Sequence, residues 1–118
     1  HEAGRFGATE IGDEAQEVVL VVILDTKNKI NAIHRVFTGS LNTSVAHPRE
    51  IFRSALLNNG ARILVYHNHP SGNTEPSEAD LIFTKRMEEA GSILGIDLLD
   101  HIIVSGKEWL SLREYGLL

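Results

Sequence analysis

Ile63-Leu64-Val65-Tyr66-His67-Asn68-His69-Pro70-Ser71-Gly72-Asn73-Thr74-Glu75-Pro76-Ser77-Glu78-Ala79-Asp80 passes through three kinds of local structure in one continuous stretch. Ile63–Tyr66 is a short apolar run that reads as a strand and leads straight into His67. Asn68–Pro76 carries Pro70, Gly72, Asn73 and Pro76, which makes it a loop. Ser77 has N-cap character, and Glu78 and Asp80 place acids in the first turn of a helix, where the helix dipole favours them. Residues i and i+2 of an extended chain point to the same side, so both imidazoles can reach one point. Asp80, eleven residues beyond His69, comes back to that point if the loop folds the helix start over the strand end. Two imidazoles and one carboxylate leave a fourth position open for water, the composition of a catalytic rather than a structural zinc site.

Each piece has a plainer reading by itself. A lone His-x-His arises often by chance, and Ser77-x-x-Asp80 alone is a capping-box-like helix start. The full pattern, His-x-His-x7-Ser-x-x-Asp with Pro70 after the pair, is much harder to obtain by accident.

Working outward, Val18–Leu24 is a continuous apolar, β-branched run expected as a strand buried on both faces. Asp25–Lys29 has turn chemistry and Ile30–Phe37 reads as a second strand, so the two form a hairpin. A loop rich in Ser, Thr, Asn and Gly precedes Pro48, which opens a helix with Ile51, Phe52, Ala55 and Leu56 as its apolar stripe. Asn59-Gly60 stops it. Beyond Asp80, a second helix is lined on one face by Phe83, Met87, Ala90 and Leu94. Leu98–Val104 is a further strand, and a hairpin around Ser105-Gly106-Lys107 leads to a terminal segment, Trp109–Leu112. The predicted order, β-β-α-β-α-β-β, is that of an α/β layered domain. Residues 1–16 show no clear apolar periodicity and are expected to be a weakly ordered segment or a linker from a missing helical region, with the domain proper at 17–118.

Composition narrows the function classes. At 118 residues the chain is one domain, and its 42% hydrophobic and 23% charged residues are ordinary for a globular protein. No apolar run approaches the roughly 20 residues needed to span a bilayer, and no secretory pattern is present, so a cytoplasmic location and no membrane association are expected. There is no cysteine, which removes disulfides, Cys-based zinc sites and a thiol nucleophile. A net charge of −5 is a poor footprint for nucleic acid. Arg49, Arg53 and Arg62 are too few to define a basic track, and Lys85-Arg86 is followed at once by Glu88-Glu89.

Residues 66–80 resemble the JAMM motif of MPN-type metalloproteases. More closely, His-Asn-His-Pro-Ser-Gly followed by Glu-Pro-Ser-x-Ala-Asp resembles the bacterial DNA repair protein RadC family. The likeness includes Gly39-Ser40-Leu41-Asn42, His47-Pro48-Arg49-Glu50, Leu99-Asp100-His101 and Glu114–Leu118, and runs from Glu17 to the end. It implies a cytidine-deaminase-like fold, a mixed β-sheet flanked by α-helices. Deaminase chemistry is not implied, because its zinc site needs cysteines and a His-x-Glu. The resemblance carries metal ligation, with Zn2+ as the ion, onto His67, His69 and Asp80. It carries the general base onto Glu17, directly before the first strand, where the plain alternative is a solvated residue at a strand entrance. Glu50, near a helix start, is the rival base. Ser77 matches the serine that polarises the substrate carbonyl, a role in competition with capping. His1 and His34 are assigned to the surface, and His47 to structure. Asp100-His101 is read either as a pair that orients a ligand or as a packed, hydrogen-bonded histidine. The implied activity is zinc-dependent hydrolysis of peptide or isopeptide bonds in a peptide or protein substrate. A nucleic-acid-binding or nuclease module associated with DNA repair, and a noncatalytic scaffold, are the alternatives.

Overall fold

Seven consecutive apolar side chains, most of them β-branched, form β1 (Val18–Leu24), and all seven are buried. In the computed structural model, which describes residues 2–38 and 47–118, this strand lies inside the sheet, as its composition demands. β2 (Ile30–Thr38) pairs antiparallel along one side of it and β3 (Arg62–Asn68) antiparallel along the other. Asn28, at φ 63°, takes the left-handed conformation in the β1–β2 turn, which its short polar side chain tolerates. β4 (Asp97–Ser105) runs parallel to β3, and a parallel pair requires a crossover. That crossover is a helix, α3 (Glu78–Leu94), and β5 (Glu108–Ser111) closes the sheet in the order β2-β1-β3-β4-β5.

The sheet has two covered faces, so the fold is the mixed α/β layering expected from the sequence. Val19, Val21, Ile23, Ile63 and Val65 point to one face and meet Ile51, Phe52 and Ala55 of α2 (Pro48–Leu57) with Phe83 and Met87 of α3. Val18, Leu20, Val22, Leu24, Tyr66, Ile102 and Val104 point to the other. Burial of this kind contributes roughly 25 cal/mol per Å² of apolar surface.

The helical stripes differ from expectation at their ends. Leu56 and Leu94 are exposed, at 57% and 44%. On α3 the buried face turns instead to Gly91, where an added Cβ would lie 2.4 Å from the Ile96 carbonyl oxygen, so the returning chain comes too close for a side chain.

The opening segment is corrected outright. Residues 2–11 are neither weakly ordered nor a linker: they form α1 (Glu2–Ile11), packed on the second face, so the folded unit begins ahead of residue 17. Gly4, Gly7, Ala8 and Ile11 recur at helical spacing. A Cβ at Gly7 would stand 2.2 Å from the Tyr66 ring, and one at Gly4 would stand 2.3 Å from the Trp109 ring. The periodicity exists, but apart from Ile11 it is written in residues with almost no apolar area, and Tyr66 Oη seals the contact by donating to Ala3 O at 2.7 Å. His1 and the stretch 39–46, which includes Gly39-Ser40-Leu41-Asn42, lie outside the described residues. Among the described residues no helix is long and apolar enough to cross a membrane.

Candidate metal centre

β3 delivers His67 and His69 at its C-terminal end, and the crossover returns the first turn of α3 to the same place. One ligand atom each from His67, His69 and Asp80 can be chosen so that all lie within 4.8 Å of one another. Asp80 and His67 are almost fully buried, with 1% of each side chain exposed, while His69 keeps 13%. The capping box read in the sequence is formed: Ser77 Oγ accepts from Asp80 N at 3.1 Å, and Asp80 Oδ2 accepts from Ser77 N at 2.8 Å. This box fixes the rotamer that points the carboxylate at the imidazoles.

Hydrogen bonds on the far sides of both rings decide which nitrogens face Asp80. His69 Nδ1 lies 2.8 Å from the Asn73 carbonyl, which only accepts, so Nδ1 carries a hydrogen. Nε2, 2.9 Å from Asp80 Oδ2, then presents a lone pair to an oxygen lone pair unless a proton or a cation lies between them. His67 Nε2 lies 3.0 Å from Glu17 Oε1 and donates to it. Its Nδ1 faces Asp80 Oδ1 at 3.3 Å and has no hydrogen-bond partner among the described residues. Two lone-pair nitrogens, each oriented by an acceptor behind it, therefore converge on one carboxylate. This donor set fits a divalent cation bound through nitrogen and oxygen.

Electrostatics agree. Burial alone would raise the Asp80 carboxyl, but His67, His69 and the Ser77 backbone N–H together hold it well below the usual carboxylate range. It stays ionised throughout the neutral range. His69 is raised by its hydrogen bond to Asp80, against burial, with the Asn73 carbonyl adding to the rise. In the absence of a cation, a proton is thus drawn to the same spot.

Glu17 sits beside His67, with 30% of its side chain exposed. Glu50 is exposed in the first turn of α2 and stands outside the cluster. His34 and His47 are exposed, and His47 is the α2 N-cap residue without a side-chain cap bond. Ser77 accepts at its cap, which leaves its hydroxyl hydrogen for another acceptor.

Asp100 and His101 part company, as successive strand residues must. Asp100 accepts from the Ser111 hydroxyl, from His101 N at 2.8 Å and from Arg113 N at 3.1 Å, so it anchors the C-terminal turn. His101 is fully buried with its ring centroid 6.4 Å from that of His67. Its Nδ1 lies 2.6 Å from Thr84 Oγ1, whose single hydrogen goes to Asp80 O at 2.8 Å, so Nδ1–H is the donor. Burial, with His67 adding to it, pushes the His101 imidazole down to about 3, and it is neutral. Thr84 escaped the sequence reading. Its one signal was a hydroxyl four residues after Asp80, on the face that Phe83 and Met87 mark as buried.

The family model for the RadC-like JAB domain matches residues 1–117. Among curated relatives, a UPF0758 protein of Clostridium beijerinckii is 51% identical over 109 residues, covering 92% of this chain and 48% of its own length. One of Enterococcus faecalis is 57% identical over 99 residues, covering 84% of this chain and 43% of its own. One of Clostridium botulinum is 50% identical over 101 residues, covering 86% and 44%. The chain spans somewhat under half the length of these relatives. With a mixed sheet, a strand-end His-x-His and an ionised Asp80 facing it, the chain belongs to the RadC-like JAB domain family.

Proposed function

We propose that this domain is a zinc-dependent hydrolase of peptide or isopeptide bonds in a peptide or protein substrate, acting in the cytoplasm. The observation that carries the reading is the convergence of lone-pair nitrogens of His67 and His69 on the ionised, buried Asp80, with the Glu17 carboxylate 3.0 Å from His67. His67, His69 and Asp80 would hold the ion, which when bound supplies a Lewis acid able to acidify water near neutral pH. The Glu17 carboxylate oxygen that His67 does not engage takes the proton from the attacking water and returns it to the leaving amine. Ser77 donates its remaining hydroxyl hydrogen to the substrate carbonyl oxygen, a contact of the kind that contributes about 3 kcal/mol to a transition state. His101 supports the site by staying neutral, adding no positive charge beside the ligands. The net charge of −5 lends the nucleic-acid alternative no support.

The test pairs elemental analysis with hydrolysis of fluorogenic peptide and isopeptide substrates. Wild type is expected to hold about one zinc per chain, as a three-residue ligand set does, and to cleave at least one substrate class. Asp80→Ala loses the metal, Glu17→Gln keeps the metal and loses turnover, and Glu50→Gln changes neither. A zinc-loaded, folded wild type that cleaves neither substrate overturns the hydrolase reading. Loss of turnover in Glu50→Gln but not in Glu17→Gln overturns the choice of base.

A further inference from the structure

Between the two histidines stands Asn68, a polar side chain with no exposed surface. Strand alternation sends it to the face opposite His67 and His69, beneath the segment that joins α1 to β1. There its carboxamide meets three backbone groups about fifty residues away in sequence. Oδ1 accepts from Val18 N at 2.6 Å, and Nδ2 donates to Gln16 O at 3.0 Å and to Glu14 O at 3.2 Å. One N–H and two carbonyls leave a single orientation for the amide, with both its donors and its oxygen in use.

Two of these bonds bracket Glu17. The Gln16 carbonyl belongs to the peptide plane on the N-terminal side of Glu17, and the Val18 N–H to the plane on its C-terminal side. Peptide units are rigid, so holding both planes fixes φ and ψ of the residue between them and with them the direction of its Cα–Cβ bond. A third tie, the Arg35–Glu14 ion pair, restrains the same segment from β2. Glu17 itself precedes β1, whose register places Val19 opposite His67. Without the clamp, that entrance would be free to turn its side chain to solvent.

We propose that Asn68 is a positioning residue that aims Glu17 at His67, so that the three successive residues of His67-Asn68-His69 hold the metal from one face and place the base from the other. This rests on the reading of Glu17 as the proton carrier. A purely structural asparagine would hold the loop with no consequence for the His67–Glu17 contact.

The experiment uses the zinc-loaded 15N-labelled chain and reads the His67 Nε2–H resonance, with zinc content and hydrolysis beside it. Glu17→Ala identifies the signature of the lost contact. Asn68→Ala is expected to reproduce that signature while retaining zinc and to lower kcat about 10- to 100-fold, the usual range for a residue that orients a site group, with KM little changed. In the Glu17→Ala background, which has no acceptor left to aim, Asn68→Ala shifts the His67 resonance no further. If Asn68→Ala fails to fold, Asn68→Ser, which keeps a hydroxyl in place of the amide, is read in the same way. A His67 resonance unchanged by a folded Asn68 variant, or a further shift in the double variant, overturns the proposal. Absence of hydrolysis by wild type overturns the hydrolase reading alone, because the resonance decides the positioning role by itself.

Discussion

On the face covered by α2 and α3, the helices supply the bulk, pushing Phe52, Phe83 and Met87 onto Val19, Val21, Ile63 and Val65. On the face covered by α1, the helix supplies Phe6 and Ile11 but also opens at its glycines, where Tyr66 of β3 and Trp109 of β5 reach up to Gly4 and Gly7. The first arrangement is vulnerable to truncation, because removing a large buried side chain leaves a cavity. The second is vulnerable to enlargement, because the helix backbone already lies against a ring. The faces also differ in charge chemistry. The first buries His67, Asp80 and His101 at its edge, whereas the second buries Tyr66 and Asp100.

The largest effect expected from this contrast is at Phe83, which is 3% exposed. Phe83→Ala should lower stability by about 3–5 kcal/mol, read as a drop in the urea midpoint. Its ring packs 5.5 Å from that of His101, so zinc affinity should fall with it. Next comes Gly7→Leu, which improves helix propensity yet forces a side chain into Tyr66. It should cost about 1–3 kcal/mol and disturb the near-UV signal of Tyr66 and Trp109, with zinc affinity kept. A stabilised Gly7→Leu, or a Phe83→Ala without loss, would erase the distinction between the faces.

The effect that is smallest per pH unit is the pH dependence of the metal-free chain. His101, lowered from 6.5 to about 3, refuses a proton that the unfolded chain accepts, so stability falls as pH drops from 6.5 toward 3. The contribution of one such group is at most about 1.4 kcal/mol per pH unit. His69 works in the opposite sense: its raised value adds stability below 6.5 that is lost as pH rises. His101→Gln therefore isolates the first contribution, and its urea midpoints should fall less steeply with acid than those of wild type. The second face responds at the other end of the scale. Tyr66, pushed up by burial to about 12, keeps its proton where the unfolded phenol loses one, so stability falls between pH 10 and 12. Tyr66→Phe should remove that alkaline slope, and equal slopes in variant and parent would refute either assignment.

What could be read from the chain follows the same division. Val18–Leu24 announces a buried strand because its signal is carried by large apolar side chains, and the α2 and α3 stripes are legible for the same reason. α1 is illegible by that measure: Gly4, Gly7 and Ala8 mark its buried face by what they lack, and only the rings that approach them reveal it. Leu94 misleads because helical spacing carries no information about where the Ile96 carbonyl will pass. At the site, His67, His69 and Asp80 could be assembled from strand alternation and helix capping, which are local rules. Glu17 came into view through resemblance, since its neighbour His67 lies fifty residues away. Thr84, Asn73 and Asn68 act through backbone or buried groups, and their partners are decided by tertiary approach.

The shared oxygen of Asp80 has one more consequence. Because Oδ2 accepts the Ser77 N–H that starts α3, the carboxylate is immobilised when the helix forms. The conformational entropy of ordering this ligand is therefore spent during folding, and an arriving cation meets a side chain with no rotamer freedom left to lose. Affinity gained in this way needs no additional contact with the ion. A helix terminus, in this molecule, is also a device for tightening a metal site.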